Sequence, residues 1–296
     1  MSLAPVVLFV YKRPWHTRQT VEALIKNKLA MDSELFVFSD APEDDKTVPM
    51  VNEVREYIRT IIGFRKIFII EQKVHAGLSR SIINGVTEVV NKYGSVIVLE
   101  DDLLTSTCFL EFMNDSLELY ENDLNVASVH GYIYPIRSLP ELFFIRGADC
   151  WGWATWKRAW GFFEPDGRKL LKGLQSKNLE REANFNNSNG YVRMLQDQIK
   201  GKNDSWAIRW YISVFLKDML TLYPGKSYVQ NIGNDNSGTH CKTTQVYEVE
   251  LNCERLNGKI HVKENLEARK AMESFFNSFK KTMMQRIAFK IKGISR

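Results

Sequence analysis

The sequence predicts an α/β protein: a doubly wound, mostly parallel sheet with helices on both faces, followed by a C-terminal amphipathic helix. Strand and helix signals alternate through the first half of the chain. The strand signals are short, apolar and rich in β-branched residues, as in sheets covered on both faces. One of them, Ser95-Val96-Ile97-Val98-Leu99, runs directly into Glu100-Asp101-Asp102. Open α/β sheets bind ligands beyond the carboxyl ends of their strands, so three carboxylates there mark a candidate site. Crowding three negative charges costs free energy that a hard divalent cation offsets through oxygen ligands. A solvated acidic turn is the alternative for the tripeptide taken alone.

The elements follow in order. Strands are expected at Pro5 to Tyr11, Glu34 to Ser39, Lys66 to Ile70 and Ser95 to Leu99, with helices at Thr17 to Leu29, Pro49 to Ile62 and Ser79 to Tyr93. In the last helix Ile82, Ile83, Val86, Val89, Val90 and Tyr93 share one face. Four strands separated by three helices imply parallel pairing through right-handed crossovers. A helix from about Thr107 to Tyr120 and strands at Val126 to Gly131 and Leu142 to Arg146 come next. The polar stretch Leu170 to Gly201, with Asn184, Asn186, Asn187 and Asn189, reads as a helix-rich insertion carrying a mobile loop. Helical spacing returns from Ser205 to Leu220, and Pro224-Gly225-Lys226 turns the chain into a strand, Ser227 to Ile232.

Composition narrows the function. The 296 residues are 44% hydrophobic and 25% charged, which suits a globular protein with a substantial core. No apolar run approaches the roughly 18 to 20 residues that span a bilayer. Met1 to Val10 carries no basic segment ahead of its apolar residues, so it is expected to be the first strand rather than a signal peptide. Cys108, Cys150, Cys241 and Cys253 lack metal-binding spacing and are expected to be free thiols in a reducing cytoplasm. The net charge of +5 hides an asymmetry: Arg269 to Arg296 holds eight Lys or Arg against Glu273. Positive charge gathered in a tail rather than around a site argues against a nucleic-acid enzyme. Neither G-x-G-x-x-G after the first strand nor G-x-x-x-x-G-K-S/T is present, which excludes the usual dinucleotide and P-loop sites.

Six segments between Pro5 and Cys241 resemble the bacterial nucleotide-sugar glycosyltransferases of the GT-A fold, family 2-like and with resemblance to N-acetylglucosaminyltransferase I relatives. They are Val7-Leu8-Phe9-Val10-Tyr11-Lys12-Arg13-Pro14, Phe38-Ser39-Asp40, His75-Ala76-Gly77-Leu78-Ser79-Arg80, Leu99-Glu100-Asp101-Asp102, Trp151-Gly152-Trp153-Ala154-Thr155-Trp156 and Gly238-Thr239-His240. The resemblance implies a catalytic domain over 1–262, with a donor half to about 105 and an acceptor half from about 106. The basic amphipathic helix at 263–296 follows it.

The resemblance also implies roles. Glu100-Asp101-Asp102 stands at the family's "DxD" element, with Asp102 as direct ligand of Mn2+ or Mg2+, His240 as a second ligand, and Asp101 on the donor ribose or the metal's water shell. Mixed oxygen and imidazole ligands favour manganese. A cation at the diphosphate neutralises the charge that develops as the sugar–phosphate bond breaks. Tyr11, Lys12, Arg13, Asp40 and Arg80 fall at donor-binding positions, Arg80 by matching its guanidinium fork to phosphate oxygens. The donor is a nucleotide-sugar, a UDP-sugar by preference, and the acceptor a surface glycan or glycolipid such as lipopolysaccharide, capsule or lipid-linked oligosaccharide.

Trp151, Gly152 and Trp153 are candidates for a sugar or acceptor pocket, since aromatic faces stack on sugar rings and glycine admits close approach. Trp156 and Trp160, one helical turn apart, are the core candidates of that cluster. Asp204, opening a helix before Trp206, is the candidate base of an inverting transfer, with helix capping as its competing role and Asp197 in reserve. In the tail, Leu266, Met272, Phe275, Phe276, Phe279, Met283, Ile287, Ile291 and Ile294 recur at helical spacing among basic residues. That pattern suits either a membrane interface or packing on the domain, and the expectation is a cytoplasmic protein with peripheral contact at the inner membrane. Two other functions fit less well. A sugar nucleotidylyltransferase calls for a glycine-rich basic loop where Tyr11-Lys12-Arg13-Pro14-Trp15 stands, and an inactive sugar-binding protein leaves the acidic set unexplained.

Overall fold

A computed structural model describes residues 3–235 and 244–294, with side chains described as far as 280. In chain order the elements are β1 (Val6–Val10), α1 (Pro14–Ile25), β2 (Glu34–Ser39), α2 (Val48–Ile58), β3 (Lys66–Glu71), α3 (Leu78–Tyr93), β4 (Ser95–Glu100), β5 (Leu103–Thr105), α4 (Phe109–Leu119) and β6 (Val126–His130). There follow β7 (Leu142–Arg146), β8 (Trp153–Trp156), α5 (Lys157–Trp160), α6 (Gly167–Ser176), α7 (Glu180–Ala183), α8 (Tyr191–Ile199), α9 (Trp206–Leu216), β9 (Leu220–Pro224), β10 (Val229–Asn231) and α10 (Leu266–Ile294).

Eight strands form one sheet in the order β3-β2-β1-β4-β8-β6-β9-β7, and β10 pairs with β5 in a separate two-stranded ladder. Strands β1 to β4 run parallel, β8 is antiparallel to both its neighbours, and β6 and β9 are parallel to each other. Every residue of β1 is buried, and its side chains alternate between two cores. Val6, Leu8 and Val10 pack with α1, α2 and α4, whereas Val7 and Phe9 pack with α3, α5 and α9. A third core joins β7 to α6, α8 and α9 and to the start of α10.

The chain leaves β1 in one direction to β2 and β3, then returns to place β4 on the other side of β1. That reversal opens a crevice at the carboxyl ends of β1 and β4, where doubly wound sheets hold their ligands. Residues 11–13 follow β1 and residues 100–102 close β4, so the crevice brings these two segments together.

Two expectations are corrected. Cys108 and Cys253 form a disulfide with Cα atoms 5.0 Å apart, 145 residues apart in sequence, so they are not free thiols. Segment 244–263 folds back along α4, with Arg255 bonded to Glu111 and the Ile260 amide donating to the Tyr120 hydroxyl, and this return brings Cys253 to Cys108. Cys150 is a free thiol, and Cys241 lies outside the described residues. The thiols thus give no argument for a reducing compartment. The asparagine-rich loop is pinned, with Asn186 donating to Glu273 at 2.8 Å and Lys280 bonded to the Asn187 carbonyl. Phe185, Asn186 and Asn187 take positive φ of 49°, 52° and 64°, a conformation asparagine tolerates better than most residues. Among the described residues no helix is long and apolar enough to cross a membrane.

Candidate active site

Arg13, the residue before α1, lays its guanidinium between the two aspartates at the end of β4. One terminal nitrogen bonds the Asp101 carboxylate and lies 2.9 Å from Asp102 Oδ2. The aspartates are 4% and 8% exposed. Thr20 of α1 donates to the Asp101 carbonyl at 2.8 Å, and the Ile232 amide donates to the Asp102 carbonyl at 2.9 Å. The loop after β10 lies against the carboxylate so closely that a Cβ on Gly233 would fall 2.2 Å from Asp102 Oδ2; only glycine fits. His16, one turn into α1, closes the arrangement with its Nε2 3.0 Å from Asp235 Oδ2. His16 was not among the residues expected from sequence. Its signal was its spacing from Arg13, three positions on along one helix face.

The electrostatics of this cluster are one-sided. Burial, reinforced by Asp102 and Asp101, pushes the Glu100 carboxyl up to about 8. Burial also lifts Asp101, to about 6, against the pull of Arg13. Burial alone would lower the Arg13 guanidinium, but Asp101 and Asp102 overcome it and raise it. Three acids thus share one arginine. Among the described residues no three His, Cys, Asp or Glu side chains converge as a metal-binding group. The carboxylates of Asp101 and Asp102 are the hard oxygen donors a divalent cation takes. They are engaged by Arg13, and His240 lies outside the described residues.

The remaining residues expected to bind the donor ring the ends of β1 and β2. Tyr11 packs against His75 with centroids 5.2 Å apart, and Lys12 Nζ lies 5.2 Å from the Tyr11 ring. Asp40 is 6% exposed, and its oxygens accept from the amides of Ala41, Ala76 and Gly77, each at 2.9 Å, with His75 Nδ1 at 3.0 Å. Asp40 therefore fastens the loop that opens α3, where Gly77 takes φ +78°. Arg80 is exposed on the first turn of α3 and lines a cleft of about 260 Å³ with Phe38, Gln72, His75, Asn84 and Glu88.

The tryptophans expected to form a sugar or acceptor pocket divide. Trp153 is 1% exposed and enclosed by Trp160, Trp206 and Trp210 at 5.4 to 6.0 Å, so its ring faces the core rather than a pocket. Trp156 and Trp160 are buried as expected. Gly152 takes φ +64°, and a Cβ there would lie 2.6 Å from Val229, so its small size serves packing against β10. Trp151 alone of the candidate trio keeps a half-exposed ring, set against Tyr132 at 4.8 Å and Tyr247 at 5.7 Å.

Asp204 has a side chain 73% exposed and accepts from Arg209 at 3.1 Å. Arg209 also donates to Ser79 at 2.5 Å, which ties the start of α9 to the start of α3. The cap of α9 is Ser205, whose Oγ accepts from the Ile208 amide, so Asp204 is free of the capping role. Asp197 sits between Lys202 at 3.7 Å and Arg193 at 4.0 Å.

His130, 1% exposed beneath this wall, accepts the Trp151 amide on Nε2 at 3.0 Å. Burial lowers its pKa to about 4. An unfolded histidine titrates near 6.5, so the unfolded chain binds the extra proton, and stability present above that pH is lost as pH falls toward 4. The loss amounts to about 3 kcal/mol. His130→Gln, which can still accept the Trp151 amide, is expected to lose stability at neutral pH and to narrow its gap to wild type between pH 6.5 and 4. Parallel melting curves for the two proteins across that range would count against this assignment.

No protein-family model matches the chain, and no curated protein does. Solved structures resemble parts of it. A mannosyltransferase from Pyrobaculum calidifontis, PcManGT, in complex with GDP-Man and Mn2+, aligns over 44% of this chain and 35% of its own at 16% identity and TM-score 0.34. TarS 1-349 of S. aureus aligns over 77% of this chain and 59% of its own at 10% identity and TM-score 0.41. A putative nucleotide-diphospho-sugar transferase from Desulfovibrio desulfuricans G20 aligns over 54% of this chain and 65% of its own at 13% identity and TM-score 0.33. The chain thus spans about a third to about two thirds of the lengths of these proteins.

Proposed function

We propose that the protein is a metal-dependent, inverting glycosyltransferase that moves a sugar from a nucleoside-diphosphate donor to a hydroxyl of a surface glycan or glycolipid. The observation that carries this reading is the cluster at the carboxyl ends of β1 and β4, where Arg13 is ion-paired with Asp101 and Asp102. A site at the strand switch point, acidic in excess yet holding a guanidinium, suits a ligand that brings both phosphate oxygens and a cation.

In this reading Asp102 and His240 would hold Mn2+ or Mg2+, with Asp101 on the donor ribose or the metal's water shell. When bound, the cation supplies charge neutralisation for the departing diphosphate. Arg13 and Lys12 bind phosphate oxygens, Tyr11 and His75 offer ring faces to the base, and Arg80 reaches from the adjoining cleft. Asp40 holds the loop that shapes this edge. UDP remains the favoured nucleotide by family resemblance. The domain reading is 1–262 for catalysis and 263–296 for the basic helix. Contact with an anionic inner-membrane surface falls to the stretch beyond 280, which carries Lys281, Arg286, Lys290 and Lys292.

The test is thermal stabilisation by UDP, GDP, CMP and dTDP, each with and without Mn2+. A nucleoside diphosphate at a hundred times its Kd should add about 2.7 kcal/mol. For a domain of this size that is a rise of about 5–10 °C in Tm. One diphosphate is expected to stabilise the protein more strongly with Mn2+ than without. If no nucleotide moves the melting curve, the transferase reading fails.

A further inference from the structure

Asp149 is a half-buried carboxylate that forms no salt bridge among the described residues. It closes the turn Gly147-Ala148-Asp149 between β7 and β8. Gly147 takes φ +101°, and a Cβ there would lie 2.3 Å from the Tyr211 ring, so the turn is held by contact rather than left loose. Asp149 Oδ1 accepts the Cys150 amide at 3.1 Å, and Oδ2 receives the Tyr134 hydroxyl at 3.4 Å. Burial keeps Tyr134 and its neighbour Tyr191 protonated. The result is a carboxylate oriented by a phenol, with no ion pair among the described residues to tie it down.

The same carboxylate lies near the acidic turn. β8 pairs antiparallel with β4, Trp153 opposite Val98, so the segment leading into β8 passes the carboxyl end of β4. The charges of Asp149, Glu100 and Asp102 all act on the thiol of Cys150. Trp151 follows immediately, and its partly exposed ring with that of Tyr247, backed by the buried Tyr132, offers apolar faces of the kind that pack on sugar C–H groups. Tyr132, Tyr134, Tyr191, Tyr211 and Tyr223 are held protonated, by burial first and by the Asp149 charge in addition, and His130 is held neutral by burial. Asp149 supplies a carboxylate in that wall, and among the described residues no salt bridge occupies it. Asp204, by contrast, is mostly in solvent and spends an oxygen on Arg209.

We propose that Asp149 receives the proton of the acceptor hydroxyl, with the acceptor's sugar ring lying against Trp151 and Tyr247. This inference rests on the transferase reading above. In the step, the hydroxyl oxygen forms a bond to the anomeric carbon as its O–H proton passes to a carboxylate oxygen of Asp149. The bond from the anomeric carbon to the phosphate oxygen breaks, and its electron pair leaves with the nucleoside diphosphate. Tyr134 is the positioning residue that holds the other carboxylate oxygen.

The experiment uses the full-length protein and its Asp149→Asn, Asp149→Ala and Asp204→Asn variants. Binding is read as the melting shift with UDP, GDP or dTDP and Mn2+. Turnover is read as diphosphate release from UDP-glucose, UDP-N-acetylglucosamine, GDP-mannose and dTDP-glucose, with water or methyl glycosides as acceptor. Both Asp149 variants are expected to keep the wild-type melting shift and to lose about 100-fold or more in release, the range of general-base catalysis. Added formate or azide is expected to restore part of the rate in Asp149→Ala, where the side chain leaves room.

Release within threefold of wild type in Asp149→Asn overturns the proposal, as does a 100-fold loss confined to Asp204→Asn. So does loss of the melting shift in both Asp149 variants, which would make the residue structural. A wild-type protein that binds nucleotide but releases none from any donor also overturns it, while leaving donor binding in place. A wild-type protein that binds no nucleotide sinks the transferase reading itself.

Discussion

Ending the chain after Glu264 is expected to abolish the cooperative fold, even though the crevice residues all precede it. Sequence reading left α10 divided between a membrane surface and the domain, and the structure packs its beginning on the third core. Ala268 and Met272 are each 1% exposed and Phe276 is 8% exposed. Phe276 meets Phe185 and Tyr134 at 5.4 and 5.0 Å, and Tyr134 is the residue whose hydroxyl donates to Asp149. Arg269, 5% exposed, donates to the Glu182 carbonyl at 2.6 Å and to Glu264 at 3.0 Å, and its guanidinium sits 4.5 Å from the Phe185 ring.

Removing a buried Met or Phe side chain costs about 2–5 kcal/mol each, and breaking a buried ion pair about 3–5. The total reaches the 5–15 kcal/mol that holds a typical domain together. A chain ending after Lys280 keeps all these contacts and is expected to melt close to the full-length protein. Circular-dichroism melting of the two truncations separates the outcomes. A cooperative, near wild-type transition in the chain ending at Glu264 would show that α10 is dispensable to the fold.

The parallel half of the sheet was legible because its determinants are local. Pro5 to Tyr11, Glu34 to Ser39, Lys66 to Ile70 and Ser95 to Leu99 contain β1 to β4 to within a residue or two, and α1 to α3 fall within a few residues of expectation. Continuous apolar runs between amphipathic helices allow little else. β8 was missed. Trp153-Ala154-Thr155-Trp156 is four residues long and buried on both faces, so it shows no alternation, and its extended form comes from pairing with β4 and β6. β9 was also missed: the expected helix ran to Leu220 and the turn began at Pro224, leaving too few residues between them to read as a strand.

At the site, the acidic turn announced itself, since charge after an apolar strand is a one-dimensional signal. Its partner did not. Arg13 and Asp101 are 88 residues apart, and Cys108 and Cys253 are 145 apart, so tertiary approach alone creates both links. Asp149 was hidden for a related reason. Beside Trp151 it reads as a turn residue, and its role emerges only when Tyr134 and Tyr191, from elsewhere in the chain, surround it.

Replacing Arg13 by glutamine is expected to move metal and nucleotide binding in opposite directions. The guanidinium neutralises Asp101 and Asp102, and any cation approaching those oxygens must displace it. Without Arg13 two carboxylates are left buried and unpaired, a state that costs about 3–5 kcal/mol and that Mn2+ relieves. The variant should therefore melt lower than wild type in the absence of metal and recover more on adding Mn2+ alone, with Mn2+ affinity at least tenfold tighter. Nucleoside diphosphate should bind the metal-loaded variant more weakly, because a charge-assisted hydrogen bond to phosphate is worth about 1.5–3 kcal/mol. That corresponds to about a 10- to 100-fold rise in Kd. Calorimetric titration with Mn2+, then with UDP or GDP in its presence, reads both effects on one sample. Arg13→Lys separates charge from fork geometry: it should keep the metal competition and lose part of the phosphate affinity. If Arg13→Gln binds Mn2+ no better than wild type, Arg13 is a fixed structural partner of the aspartates. The exchange of its guanidinium from carboxylate to phosphate would then have to be abandoned.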